Sequence, residues 1–164
     1  MRRSGERSTR GSSQPMRRTE DRLPILSLPA PIRRRLVFEA RSAGPREACG
    51  ALVGRIGTEG TRLTDVVALA NRATDGRQAY RLDPAELEPL LRTRSVVGFY
   101  HSHPDAPAVF SARDARDAWP AWWYVVIGGD GAGAARITAW RNGRPGRLEI
   151  ERSGRRERGC AWPS

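Results

Sequence analysis

Lysine is missing altogether: all 29 basic residues of this 164-residue chain are arginine. An arginine-only basic set is what GC-rich codon usage produces, so a net charge of +11 is weak evidence for a polyanionic partner. Cysteine is nearly absent, with Cys49 in an apolar stretch and Cys160 near the end. Two thiols so placed build no disulfide framework, which excludes the small stapled scaffolds and favours a reducing, cytoplasmic setting. No apolar run approaches ~18 residues, so no helix is expected to span a membrane. The first 22 residues hold no apolar stretch of the kind a secretory signal needs. Histidine is as scarce as cysteine, with two residues in the chain, and both fall within one tripeptide.

Hydrophobic residues make up 38% of the chain, and the shortfall sits at its ends. Residues 1–22 have no aliphatic or aromatic side chain beyond two Met, and carry seven Arg against three acids. They are expected to be a disordered, Arg-rich leader. Such a leader could contact nucleic acid, but a solvated tail is the simpler reading, and translation could also start at Met16. Residues 153–164 read as a flexible tail. Between them, residues 23–152 form one domain, with roughly 125 residues available to bury a core without disulfides.

Along that domain, Ile32, Leu36 and Ala40 recur at helical spacing between Pro31 and Gly44-Pro45, which predicts an amphipathic helix over 31–43. CGALVGRI (49–56) and TRLTDVVALA (61–70) read as strands joined by a turn at 57–60. Asp83 is a good N-cap with Pro84 at the first helical position, and Leu87, Leu90 and Leu91 are expected to line one face of that helix. Strands are expected at 96–101, 122–129, 135–140 and 148–151, with a Gly-rich turn at 128–133. The predicted order, α-β-β-α-β-α-β-β-β, implies a mixed sheet flanked by helices, an α/β (α+β layered) fold.

The chemistry concentrates in residues 101–114. Alternation along a strand sends His101 and His103 to the same face, so their imidazoles can converge. Pro104 is expected to end the strand because it cannot donate a ladder hydrogen bond. A six-residue loop then leads to Ser111, and a helix from there toward Trp119 brings Asp114 back to the strand end. Two imidazole nitrogens and one carboxylate are a normal zinc set, and three protein ligands leave the fourth tetrahedral position open, as in catalytic sites. Ser111 and Asp114 also form a capping-box pattern, which is a purely structural alternative.

His101-Ser102-His103-Pro104, six residues, Ser111, two residues, Asp114 resembles the signature of the JAMM (MPN-plus) metallopeptidases. Pro45-Arg46-Glu47-Ala48-Cys49-Gly50 is similar to the segment that carries the catalytic glutamate of that family. The resemblance covers roughly residues 25–150. It implies an MPN/JAMM-like, cytidine-deaminase-like fold, one Zn2+ per chain held by His101, His103 and Asp114, Glu47 as general base and Ser111 as donor to the substrate carbonyl. Phe110 stands where relatives often have Pro, which bears on loop shape and substrate fit. The H-x-E with P-C-x-x-C pattern of zinc deaminases is absent.

The short connections resemble the compact prokaryotic branch of the family. That likeness implies cleavage after the C-terminal Gly-Gly of a ubiquitin-like sulfur-carrier protein, as processing or as deconjugation of an isopeptide bond. Two other functions remain open: an MPN-like protein of DNA repair, and a non-catalytic MPN scaffold. Against nucleic acid stands the concentration of charge at the ends, with no aromatic-basic interleaving. A homodimer is compatible with the sequence. Cys49 could serve a thiol peptidase, although an apolar strand favours an inert thiol. The cluster Trp119, Trp122 and Trp123 could wall a substrate site or pack the core.

Overall fold

The computed structural model describes residues 23–129 and 134–151. The leader, Cys160, the C-terminal tail and most of the Gly-rich turn lie outside the described residues. Within them the order is β1 (Ile25–Pro29), α1 (Ala30–Ser42), β2 (Cys49–Ile56), β3 (Thr61–Leu69), α2 (Pro84–Thr93), β4 (Val96–Pro107), α3 (Ala112–Asp117), β5 (Trp123–Gly129), β6 (Ala135–Arg141), β7 (Arg144–Pro145) and β8 (Arg147–Glu151). The eight strands form one mixed sheet in the order β7-β6-β5-β4-β2-β3-β1-β8. A mixed sheet with helices on its faces is the layered fold expected.

β4 lies in the middle, antiparallel to β2 and parallel to β5. Side chains of these strands alternate between two cores. Tyr100, Trp123, Val125 and Ile127 face one side, where Leu36, Ile32 and Ala40 of α1 pack on them. Phe99, Tyr124 and Val126 face the other, against Leu87 of α2 and Phe110. Burial on both faces explains why β5 reads as the unbroken apolar run WYVVI. Each such side chain contributes roughly 1.5–3 kcal/mol.

The two ends of the strand order are joined by one residue, Gly146, between β7 and β8. The sheet therefore curls until its edges meet, and α1, in contact with β1, β3, β4, β5 and β8, occupies the concave side. At the seam Gly146 donates to Ala139 O at 2.8 Å and Arg147 donates to Pro24 O at 2.8 Å. A Cβ on Gly146 would stand 2.5 Å from the Trp123 ring, so only glycine fits this closure. The Trp123 indole, buried on the same side, donates to Thr61 Oγ1 at 3.0 Å and ties β5 to β3.

Three differences from the sequence expectations have local causes. β1 was not anticipated: its alternation buries Leu26 and Leu28, but Pro24, Pro29 and Pro31 around it read as breakers. Pro24 and Pro29 stand at the ends of β1, and Pro31 in the first turn of α1, where no backbone donor is required. Pro104 does not end β4. The pairing with β5 runs through His103↔Gly128, skips, and resumes at Pro107↔Gly129, so Pro104 falls in a bulge and needs no partner for its nitrogen. Finally, Leu91 is 40% exposed, leaving Leu87 as the one buried leucine of α2.

Candidate metal centre

His101 and His103 leave β4 on the convex face, away from α1. His101 pairs with Cys49, the outermost ladder pair between β4 and β2, and beyond it only Ser102 stays bonded to the chain before β2. Asp114 reaches the same point from the first turn of α3. The ligand atoms of His101, His103 and Asp114 lie within 4.8 Å of one another. His101 Nε2 is 3.1 Å from His103 Nε2 and 3.3 Å from Asp114 Oδ1, and His103 Nε2 is 3.8 Å from Asp114 Oδ2.

The capping box is present, and the same Asp114 carboxylate stands in the His/His/Asp cluster. Ser111 Oγ accepts from the Asp114 N–H at 3.2 Å, and Asp114 Oδ2 accepts from the Ser111 N–H at 2.7 Å. Asp114 Oδ1 remains directed at His101. Phe110 fixes the approach to this helix: it is buried, stacked on Trp140 at 5.6 Å and tilted against Tyr124 at 5.4 Å. The residue that departs from the family pattern is thus an apolar anchor for the loop that presents Ser111.

Charge states suit a cation. Burial, with His103 adding to it, holds His101 below the ordinary imidazole value despite the pull of Asp114, so the ring is a neutral donor. Burial opposes the Asp114 charge, but the hydrogen bond and charge of His101, with hydrogen bonds from the Ser111 side chain and backbone to the carboxylate, outweigh it and hold the carboxyl at about 2. His103 Nδ1 lies 2.9 Å from Pro107 O; donating there leaves Nε2 with its lone pair toward the cluster. Among the described residues His101 Nδ1 is buried without a hydrogen-bond partner. Two imidazole nitrogens and a carboxylate this close repel unless a proton or a cation lies among them, and the donor set fits a divalent metal.

Glu47 is buried just before β2. Burial and the nearby Asp114 charge raise its carboxyl to about 8, against the opposing pull of Arg113. Glu47 and Asp114 therefore share one electrostatic site. Cys49 is also buried, and burial followed by the Glu47 and Glu86 charges pushes its thiol up to about 12. It is no thiolate at neutral pH, which removes the thiol-peptidase alternative.

A groove of about 600 Å3 opens beside Asp114, walled by Tyr80, Leu82, Leu87, Phe99 and Trp119. The three tryptophans thus divide: Trp123 is core, Trp122 stacks on Phe99 at 5.2 Å, and Trp119, 52% exposed, lines the groove. Sequence reading missed Tyr80, whose ring stacks on His101 at 4.6 Å and 18°. Its signal was a single aromatic inside the polar stretch 71–83.

The chain matches the family described as prokaryotic homologs of the JAB domain over residues 29–143. It is 38% identical over 124 residues to the desampylase of Haloferax volcanii, covering 70% of this chain and 85% of that protein. It is 35% identical over 95 residues to a probable TtuB-protein conjugate cleaving protease of Thermus thermophilus, covering 55% and 61%. Among solved structures, a Desulfitobacterium hafniense protein aligns with TM-score 0.63 at 24% identity, over 77% of this chain and 92% of that one. A Salinibacter ruber protein aligns with TM-score 0.54 at 29% identity, over 78% and 91%.

Proposed function

Because the chain belongs to the prokaryotic JAB-domain family of metallopeptidases, we propose that it is a zinc peptidase cutting the amide bond after the C-terminal Gly-Gly of a ubiquitin-like sulfur-carrier protein. The observation that carries the chemistry is the convergence of His101, His103 and Asp114, and the response of the buried Glu47 carboxyl to the Asp114 charge supports its role as base. The names of two relatives, a desampylase and a conjugate-cleaving protease, support a protein conjugate as substrate.

His101, His103 and Asp114 hold the zinc, which when bound supplies the Lewis acidity that makes water a nucleophile near neutral pH. Glu47 accepts a proton from the attacking water and passes it to the departing amine. Ser111 donates its hydroxyl proton to the carbonyl oxygen as charge develops there. Two residues without side chains suit the narrow approach to the cluster, while the residues before them lie extended along the apolar groove. Residues 23–152 act as one domain, and the free buried thiol of Cys49 suits a reducing cytoplasm.

Removing the Ser111 hydroxyl tests the oxyanion role. Ser111→Ala is expected to lower kcat about 10²–10³-fold. It also deletes the α3 cap, at about 1 kcal/mol in urea unfolding. Activity near the wild-type level with only the stability loss would leave Ser111 as a cap alone. The substrate is tested by intact mass. A sulfur carrier extended beyond Gly-Gly, or linked through it to lysine, is expected to end at Gly-Gly after incubation and to stay intact with a chelator. An intact carrier in both forms, with zinc bound, would send the proposal to another substrate.

A further inference from the structure

Glu47 precedes β2 and is outside the sheet ladder, so something else must hold it. The outermost pair of β2 and β3 is Cys49↔Leu69. Counting that register on by two residues places Asn71 opposite Glu47, yet no ladder forms there. Instead the Glu47 N–H donates to Gly76 O, and Glu47 O receives the Asn71 side-chain amide at 3.1 Å.

The same Asn71 Nδ2 reaches Ala79 O at 2.9 Å and Gly76 O at 3.3 Å. Its Oδ1 accepts from the N–H groups of Ala73 at 2.9 Å and Arg81 at 3.2 Å. Carbonyls on one side and N–H groups on the other allow only one orientation of this amide. Residues 71–81 are thereby folded around the Glu47 backbone, and the loop lays Tyr80 on His101. The next residue, Ala48, is held from β4: its N–H donates to Ser102 Oγ at 2.8 Å, and its carbonyl accepts from the Ser102 N–H at 2.9 Å. Ser102 stands between the two histidines, so this bond gives the distance scale from ligands to base. Asn71 supplies the remaining constraint.

We propose that Asn71 is a positioning residue, replacing the missing ladder bond to set Glu47 against the metal ligands. The proposal rests on the reading of Glu47 as the base. A displacement of ~1 Å at a catalytic group costs on the order of 10²-fold in rate, and no other side chain bonds the Glu47 carbonyl among the described residues.

Asn71→Ala is expected to lower kcat about 10–100-fold, with KM within about threefold and zinc content unchanged. Asn71→Ser, which keeps a hydroxyl donor, is expected to recover part of the loss. The decisive measurement is the cycle with Glu47→Gln. If Asn71 acts through Glu47, removing it from the Glu47→Gln protein costs nothing further. Losses that multiply in the double variant, or a wild-type kcat in Asn71→Ala, would overturn the proposal. So would failure of both Asn71 variants to fold while Arg77→Ala, altered in the same loop, folds. The base reading fails separately, if Glu47→Gln alone stays active.

Discussion

Glu47→Gln is expected to keep the metal and lose about 10²–10⁴-fold in kcat, because an amide cannot take the proton that the attacking water must shed. Glu47 is 6% exposed, and burial, then the charge of Asp114, raises its carboxyl to about 8. The same shift has a consequence for stability. A carboxyl whose folded pKa exceeds its unfolded value contributes stability that is full below about 4.5 and lost as pH rises through about 8. Glutamine stays neutral throughout. Melting in the presence of chelator should therefore give nearly equal Tm for the two proteins at pH 4.5. At pH 8.5 the variant should be higher by on the order of 5 °C. A gap of opposite sign would mean that Glu47 is held as a charge, as in a structural ion pair.

Asp114→Asn is the second large effect. The amide oxygen can still accept the Ser111 N–H, so the cap of α3 survives and stability should change by less than about 1 kcal/mol. The amide nitrogen can point at His101 Nε2 and donate to it, satisfying the ring with no cation present. Zinc affinity is therefore expected to fall by more than the ~10–100-fold typical of losing an outer-shell partner, and turnover with it. Competition with a chromophoric chelator measures the first and conjugate cleavage the second. Full zinc affinity in the variant would remove Asp114 from the ligand set.

These two residues illustrate how much of the site was legible beforehand. Asp114 lies thirteen residues from His101, and strand alternation with one loop and one helical turn was enough to bring it back. The cap reading was borne out, and it leaves Asp114 Oδ1 facing His101, because a carboxylate has two oxygens. Glu47 is different: no periodicity marks a glutamate between a helix and a strand, and only the family likeness of its flanking residues singled it out. Asn71 and Tyr80 were invisible for a further reason. Their roles depend on where a polar loop folds back after the β2–β3 ladder stops, which is tertiary information. The fold itself was readable where burial imposed a helical period, as in α1, or an unbroken apolar run, as in β5. It was misread where proline punctuated a strand, at β1 and at the bulge in β4.

The central claim is that one metal, held by His101, His103 and Asp114, is required for amide hydrolysis. The most direct test is zinc analysis of the purified chain, with conjugate cleavage followed through chelation and zinc addition. The account predicts one zinc per chain, activity that vanishes on chelation and returns with zinc, and no return in Asp114→Asn. A metal-free chain that cleaves at the full rate would contradict it.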